Sequence, residues 1–230
     1  DATTSSRLDQ LRRQHPELTA GLARKTYGFC GDIGRGRTVR SLASLLANYE
    51  GVKLIFVAPN DPTLALRDDL RSRLVDRGIQ IHEVETFEEK IDGVPAIEGL
   101  DALYMTRIQK EHNSRAESAK FDKIDLSPYK LNRDLLARMK VYAPILHPFP
   151  RDQHFGEIPP EIDNDSRAMY FRQARNGMWI RAALLASVFG VDHQISRFFH
   201  QEFNEWHHYN EGELMTNPKI SNDERITKHE

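Results

Sequence analysis

The sequence predicts an α/β protein in which a doubly wound, Rossmann-like parallel sheet is flanked by helices. Short apolar runs, β-branched or aromatic in part, alternate along the chain with amphipathic segments. Each run is brief and is followed by turn-forming or polar residues, as strands usually are. Strand and helix alternating at this spacing are typical of a parallel sheet with helical crossovers.

Five strands are predicted from residue 25 onward. They are Lys25–Cys30, Val52–Ala58, Gln80–Val84, Ala102–Met105 and Ala143–His147. The helices predicted between and after them are Thr38–Asn48, Leu64–Gly78, Asn132–Lys140 and about Ser166–Phe189. Asn132 is suited to cap the third of these helices, because its side chain can accept a hydrogen bond from a free N–H of the first turn.

We predict a single α/β domain at residues 25–190, between an N-terminal arm at 1–24 and a C-terminal segment at 191–230. The arm is polar and contains one short helix. The C-terminal segment is predicted to begin with a docked, aromatic-rich helix at 191–207 and to end in an unordered, charged tail at 211–230.

Composition excludes several classes of protein. Of the 230 residues, 39% are hydrophobic and 29% are charged, which is too apolar for a disordered chain and too polar for a membrane protein. No apolar run approaches the roughly 18 residues that a membrane span needs. The formal charge of −2 gives no general attraction to nucleic acid or to an acidic membrane, so we expect neither as a partner.

The single cysteine, Cys30, excludes an internal disulfide framework and a cysteine-based zinc site. With no signal peptide in view, it favours a cytoplasmic location. We expect no cofactor and no metal, since His200, His207 and His208 have no cysteine or carboxylate pattern beside them that supports a metal site. The chain starts at Asp1 rather than at methionine, which is compatible with missing upstream residues.

Three clusters of polar or turn-forming residues follow predicted strands, where an open parallel sheet binds its ligands. The first strand runs into the glycine-rich segment 31–38, in which Arg37 and the N–H groups of a helix start could bind an anion. The fourth predicted strand is followed by Arg107, Gln109 and Glu111. Arg107 and Gln109 point to one side of an extended chain, and Glu111 could hold Arg107 in place. The fifth ends at the proline-rich segment 147–151, which offers carbonyl acceptors.

Each cluster alone is also compatible with an ordinary polar turn. Together they supply two cations, an amide donor and carbonyl acceptors around one crevice. That set suits a small dicarboxylate carrying an amine.

Four segments of the sequence closely resemble, in order, the aspartate-binding half of aspartate carbamoyltransferases. They are Gly31-Asp32-Ile33-Gly34-Arg35-Gly36-Arg37-Thr38-Val39-Arg40-Ser41, Leu103-Tyr104-Met105-Thr106-Arg107-Ile108-Gln109-Lys110-Glu111, His147-Pro148-Phe149-Pro150-Arg151 and Tyr170-Phe171-Arg172-Gln173-Ala174-Arg175-Asn176-Gly177. The resemblance spans about residues 25–190. It implies an enzyme that transfers a carbamoyl group from carbamoyl phosphate to L-aspartate in pyrimidine synthesis, with catalytic chains that form homotrimers.

The resemblance also implies a role for each matching residue. Arg37 would bind the α-carboxylate side of aspartate, and Arg107 and Gln109 the β-carboxylate side, with Glu111 steadying Arg107. The carbonyls of Phe149 and Pro150 would face the amine and the carbamoyl group, across a peptide bond that is commonly cis in the family. His112 stands where the family often has a further arginine, and Phe149 where leucine is commoner.

The other half of the family's chain is not found in the sequence. That half supplies a Ser-Thr-Arg-Thr phosphate cradle and a His-Pro-x-Gln motif, whereas His15-Pro16-Glu17-Leu18 lacks the glutamine. We therefore expect the carbamoyl-phosphate domain to be missing from the sequence or to lie on a separate chain, and this chain alone to be inactive.

Two other hypotheses remain at this point. One is a non-catalytic relative that serves as an amino-acid-sensing or assembly subunit, which would have little reason to keep cations converging on a crevice. The other is a nucleotide-binding Rossmann module, which the glycine spacing G-x-x-G-x-G opposes.

Overall fold

A computed structural model describes residues 11–108, 124–152, 156–191, 193–194 and 197. Its main sheet has five strands, β1 (Thr26–Cys30), β2 (Lys53–Val57), β3 (Gln80–Val84), β6 (Ala102–Met105) and β7 (Ile145–Leu146), in the order β3-β2-β1-β6-β7. Every neighbouring pair in this sheet is parallel. The predicted fold class and all five predicted strands are therefore confirmed.

The strands alternate their side chains between two apolar cores, one on each face of the sheet. In β2, Leu54 and Phe56 belong to one core, and Ile55 and Val57 to the other. Helices α1 (Arg37–Leu46) and α2 (Asp68–Asp76) contribute to the first core. Both faces are covered, as parallel sheets require, and this explains why the strands are almost continuously apolar.

A small unit between β3 and β6 was not predicted. It consists of an antiparallel pair, β4 (Lys90–Ile91) and β5 (Val94–Pro95), followed by the four-residue helix α3 (Ala96–Gly99). Ala96 and Ile97 are buried there, in the second core. Strands of two residues are too short to leave a period in the sequence.

The predicted helix at Leu64–Gly78 begins too early, because α2 starts only at Asp68. Residues before it form a turn, in which the carbonyl of Asp61 accepts hydrogen bonds from the N–H groups of Leu64 and Ala65. Helix α4 (Arg133–Arg138) is capped as predicted, since the side chain of Asn132 accepts a hydrogen bond of 2.8 Å from the N–H of Leu135.

The last described helix, α5 (Tyr170–Val188), is shorter than predicted at its start. It runs from one compact unit, residues 1–176, into a second, residues 177–230. The whole sheet belongs to the first unit. In the second, the large apolar side chains of α5 and the residue after it are exposed, among them Ile180, Leu184 and Val188.

Among the described residues, no helix has both the length and the apolar character needed to cross a bilayer. Residues 11–14 are helical, as predicted for the arm. Most of the helix predicted at 191–207, and all of the tail predicted at 211–230, lie outside the described residues. The predicted boundaries of the arm, domain and C-terminal segment stay predictions.

The close approach of two strand ends leads to a first prediction. A Cβ atom at Gly31, whose φ is +112°, would lie 2.2 Å from the carbonyl oxygen of Thr106. At Gly78, whose φ is +74°, a Cβ would meet nothing within 4 Å. We expect Gly78→Ala to lower the free energy of unfolding by about 1–2 kcal/mol, the usual cost of a left-handed residue, and Gly31→Ala by about 1–3 kcal/mol more.

Urea unfolding of both variants measures the difference. Equal destabilisation would contradict the close packing of residues 31 and 106.

Candidate functional site

The candidate site lies where the winding of the sheet reverses. From β1 the chain proceeds through β2 to β3 on one side, and β6 and β7 lie on the other. The carboxyl ends of β1 and β6 are therefore neighbours at the switch point of the sheet, with Cys30 beside Met105. Open α/β sheets bind ligands in the crevice that forms at such a point.

The loops after β1 and β6 are joined through Thr106. Its hydroxyl donates a hydrogen bond of 3.0 Å to the carbonyl of Cys30 and accepts one of 2.9 Å from the N–H of Asp32. Gly31 lies against the Thr106 backbone, where no side chain would fit. As a result, the segments that lead to Arg37 and to Arg107 start from one shared contact.

Arg37 is the first residue of α1 and its side chain is exposed. Gly36 precedes it as the N-cap, and no acidic residue occupies the first turn of the helix. Free N–H groups at a helix start carry partial positive charge, so the backbone here adds to the charge of the guanidinium. The guanidinium and the helix start together are chemically suited to an anion, and the predicted role of Arg37 stays a prediction.

Arg35, the other arginine of this loop, does not project into solvent as the glycine-rich pattern suggested. Its Nη2 lies 2.8 Å from Oδ2 of the buried Asp32, and its backbone N–H donates to Oδ1 of the same carboxylate at 3.1 Å. The pair ties the loop to itself. Arg35 is thus used to hold the turn that precedes Arg37.

Arg107 follows Thr106 directly and is half-buried. Gln109 and Glu111, the predicted amide donor and steadying carboxylate, lie outside the described residues. The structure thus brings the backbone of Arg107 to the switch point.

The third predicted segment, Phe149–Pro150, follows β7, the neighbour of β6. The peptide bond between these two residues is cis, as the resemblance implied. Phe149 also has a φ of +52°, a left-handed conformation that costs a non-glycine residue about 1–2 kcal/mol. Such backbone is kept only where its surroundings hold it, and it is common at ligand sites.

Aromatic and charged groups hold this segment from the side. The Phe149 ring lies 5.8 Å from the ring of Tyr170 and 5.6 Å from that of Phe171, measured between centroids. The guanidinium of Arg151 stands 5.4 Å from the Tyr170 centroid, which is cation–π distance. Arg151 also forms a bidentate ion pair with Asp163, with N–O distances of 2.7 and 3.0 Å.

A polar chain that the sequence did not reveal connects the three segments. Burial raises the pKa of the Tyr104 hydroxyl, and two polar side chains near it, Thr38 at the start of α1 and Gln173 in α5, lower that pKa by a smaller amount. The Oε1 atom of Gln173 accepts a hydrogen bond of 2.9 Å from the N–H of His147. Positions 38, 104, 147 and 173 were all inside the four family-like segments, but their separation along the chain hid the contacts.

These features define an α/β domain with a candidate anion-binding site at the switch point of an open parallel sheet. A family model described as the Asp/Orn binding domain of aspartate/ornithine carbamoyltransferases matches residues 23–188. The chain therefore belongs to the aspartate/ornithine carbamoyltransferase family.

Curated relatives agree with this family. The chain is 42% identical over 158 residues to aspartate carbamoyltransferase 1, chloroplastic, of Pisum sativum, a match of 69% of this chain and 38% of that protein. It is 40% identical over 172 residues to the aspartate carbamoyltransferase catalytic subunit of Clostridium acetobutylicum, a match of 74% of this chain and 51% of the relative. The chain thus spans about half, or less, of the length of the relatives it matches.

Solved structures of aspartate transcarbamoylases share the fold. The catalytic subunit from M. jannaschii is 28% identical, with a TM-score of 0.62 over 80% of this chain and 53% of that one. The enzyme from Trypanosoma cruzi in complex with carbamoyl phosphate and aspartate is 29% identical, with a TM-score of 0.62 over 72% of this chain and 50% of the other.

The ion pair beneath the Phe149 segment leads to a prediction about pH. Burial tends to raise the pKa of Asp163, but hydrogen bonds from Arg151 and Tyr170 outweigh it, and the net shift is downward. A carboxyl group whose pKa is lower in the folded protein adds stability above its unfolded pKa of about 3.9, and this stability is lost as the pH falls through the folded value.

We expect the wild-type chain to be more stable than Asp163→Asn near neutral pH, and the difference to shrink as the pH falls below about 4. Urea unfolding across this pH range measures it. Asp76→Asn, at an exposed position of α2, is the control and should match the wild type throughout. A difference between wild type and Asp163→Asn that does not change with pH would contradict the assignment.

Proposed function

We propose that this chain is the aspartate-binding half of an aspartate carbamoyltransferase. That enzyme transfers the carbamoyl group of carbamoyl phosphate to the amine of L-aspartate and releases phosphate, a step of pyrimidine biosynthesis. The observation that carries the proposal is the meeting of two loops at the switch point, one leading to Arg37 and the other to Arg107.

In this proposal the two guanidinium groups bind the two carboxylates of the substrate. Arg37 binds the α-carboxylate side, and Arg107, with Gln109, binds the β-carboxylate side, where Glu111 steadies the arginine. Arginine suits this task because its planar fork of N–H donors matches a carboxylate. A second carboxylate-binding cation favours aspartate over ornithine, as does Pro148, which stands where ornithine enzymes usually have a cysteine.

The carbonyl groups of Phe149 and Pro150 accept hydrogen bonds from the substrate amine and from the carbamoyl group. Held in this way, the neutral amine attacks the carbamoyl carbon and a C–N bond forms. The C–O bond to phosphate breaks, and the proton that the amine loses passes to the departing phosphate. The residues of this chain contribute by orienting the amine. Orientation alone is worth several kcal/mol to such a reaction.

The partner in the reaction is a carbamoyl-phosphate domain, supplied by a missing part of the chain or by a separate chain. Two facts support it: the chain spans about half the length of its relatives, and α5 ends in an apolar surface. We call this surface the α5 patch; its residues are 52% to 79% exposed and are Met178, Trp179, Ile180, Leu184, Leu185, Val188 and Phe189. Several large apolar side chains exposed together on one helix are typical of an interaction site.

Two further parts of the proposal concern assembly and location. Catalytic chains of the family form homotrimers, and we propose the same for the complete protein. Relatives from pea are chloroplastic by name, whereas for this chain we propose the cytoplasm, which a single buried cysteine favours.

Binding of aspartate by the isolated chain tests the site. A ligand that binds only the folded state raises the melting temperature, so L-aspartate or succinate at tens of millimolar should raise it for the wild type. Arg37→Ala and Arg107→Ala should lose the shift, whereas Arg133→Ala, at an exposed position of α4, should retain it. A folded wild-type chain that shows no shift would exclude the proposal.

Reconstitution tests the chemistry. The chain mixed with the carbamoyl-phosphate half of a relative should form N-carbamoyl-L-aspartate, whereas neither half alone should do so. Arg107→Ala should abolish product formation in the mixture, and Arg133→Ala should not. An active Arg107→Ala mixture would show that the site is assigned to the wrong residues.

The same mixture tests the α5 patch. Burial of Trp179 should shift its fluorescence to shorter wavelength on mixing. Leu184→Asp should prevent association, because a carboxylate in an apolar interface loses its hydration without gaining a partner. Ser187→Asp, an exposed polar position on the same helix, is the matched control. Unchanged association of Leu184→Asp would assign the interface elsewhere.

A further inference from the structure

His147 and Glu157 form a buried pair next to the Phe149–Pro150 segment. Their exposed fractions are 1% and 0%. The Nε2 atom of His147 lies 2.8 Å from Oε1 of Glu157, in a short contact whose angle is too bent for a regular hydrogen bond. Ionisable groups this deeply buried are uncommon unless they are paired.

The pair controls the backbone on both sides of the segment. The N–H of Phe149 donates to Nδ1 of His147 at 2.9 Å. The N–H of Asp152 donates to both carboxylate oxygens of Glu157, each at 3.1 Å. Phe149 and Pro150 therefore lie between two backbone groups that are bonded to one buried pair.

Few other backbone donors exist in this stretch. Pro148 and Pro150 have no N–H, and the N–H of His147 is bonded to Gln173. Within the described residues, the carbonyls of Phe149 and Pro150 accept no hydrogen bond from the protein. Side chains thus bind the N–H groups, while the two carbonyls stay available for a ligand.

The contacts also define the protonation of the ring. Nδ1 faces an N–H donor, so it must present a lone pair. Nε2 then carries the proton, since a lone pair on Nε2 would repel Oε1 of Glu157 at 2.8 Å. The geometry therefore assigns the proton to Nε2, because a proton on Nδ1 would set two N–H groups against each other.

Glu157 also lies close to other titratable side chains. Burial, and after it the charge of Glu157, raises the pKa of the Cys30 thiol on β1. Arg151, whose pKa is raised mainly by its hydrogen bonds to Asp163, also experiences the charge of Glu157. The carbonyl of Glu157 accepts a hydrogen bond of 2.9 Å from the N–H of Leu131, which fixes the backbone of the acid.

We propose that His147, as the Nε2-protonated tautomer held by Glu157, is a positioning residue that directs the Phe149 and Pro150 carbonyls toward the amine of the substrate. This inference rests on the proposed function for the identity of that amine. The pair itself touches the backbone of the segment, and it acts on a ligand only through that backbone.

Three variants test the contact of Nδ1 with Phe149 and the contact of Nε2 with Glu157 separately. In His147→Asn, the side-chain oxygen can still accept from the N–H of Phe149, but the side chain no longer reaches Glu157. In His147→Gln, the amide can reach Glu157, but the acceptor beside Phe149 is lost. Glu157→Gln keeps an oxygen for both donors and removes the charge, and Glu161→Gln, at an exposed position nearby, is the control.

Two measurements on the ¹⁵N-labelled full chain test the positioning without any ligand. Long-range ¹H–¹⁵N correlations of the imidazole report its tautomer, with the His147 signal assigned by its loss in His147→Asn. Amide hydrogen exchange reports the Phe149 N–H. We expect the Nε2-protonated form in the wild type, and Phe149 exchange roughly tenfold faster or more in His147→Gln but slow in His147→Asn and Glu161→Gln.

Titration with L-aspartate then connects the pair to the ligand. Shifts of the Phe149 and Arg151 amide signals should be retained in His147→Asn and Glu161→Gln, reduced in Glu157→Gln and lost in His147→Gln.

An Nδ1-protonated ring, or fast Phe149 exchange in the wild type, would overturn the inference whether or not aspartate binds. The inference would also be overturned if a folded His147→Gln variant showed the same shifts of the Phe149 and Arg151 amide signals with L-aspartate as the wild type. A wild-type chain that shows the expected tautomer and exchange but no response to aspartate would instead overturn the proposed function, and with it the identity of the amine.

Discussion

The contact between the ends of β1 and β6 is the constraint on which the rest of the site depends. The Thr106 hydroxyl bonds to the backbone of residues 30 and 32, and Gly31 lies against it with no room for a Cβ. One hydroxyl and one missing side chain therefore bring together the loops that lead to both arginines. A parallel sheet creates this opportunity only where its winding reverses, because elsewhere a crossover helix covers the end of the neighbouring strand.

Much of the fold could be predicted from the sequence, for a physical reason. A strand buried on both faces, such as β2, must be apolar along its whole length, and that signal is local. The pair β4–β5 and the late start of α2 could not be predicted. Two-residue strands have no period, and the turn at Asp61 depends on hydrogen bonds that propensity does not encode.

The candidate site also contains residues that could be predicted from the sequence and residues that could not. Arg37, Arg107 and the Phe149–Pro150 segment were predictable because each follows a recognisable strand. The groups that orient them were not, since Gln173 binds the N–H of His147 across 26 positions of sequence and Glu157 comes ten positions after His147. The ion pair of Arg35 could not be predicted either, because the aspartate that binds it, three positions earlier, reaches it only through the local turn of the loop.

The two apolar cores have a consequence for how such a protein can be inherited. Among the described residues, segments of this same chain cover both faces of the sheet, so the edge at the switch point lies between two cores that this chain supplies itself. A gene segment that encodes such a domain can be joined to another reading frame or expressed separately, because the residues that cover both faces of the sheet are encoded with it. After such a rearrangement, the association that we propose with a carbamoyl-phosphate domain would depend on the exposed apolar residues at the end of α5.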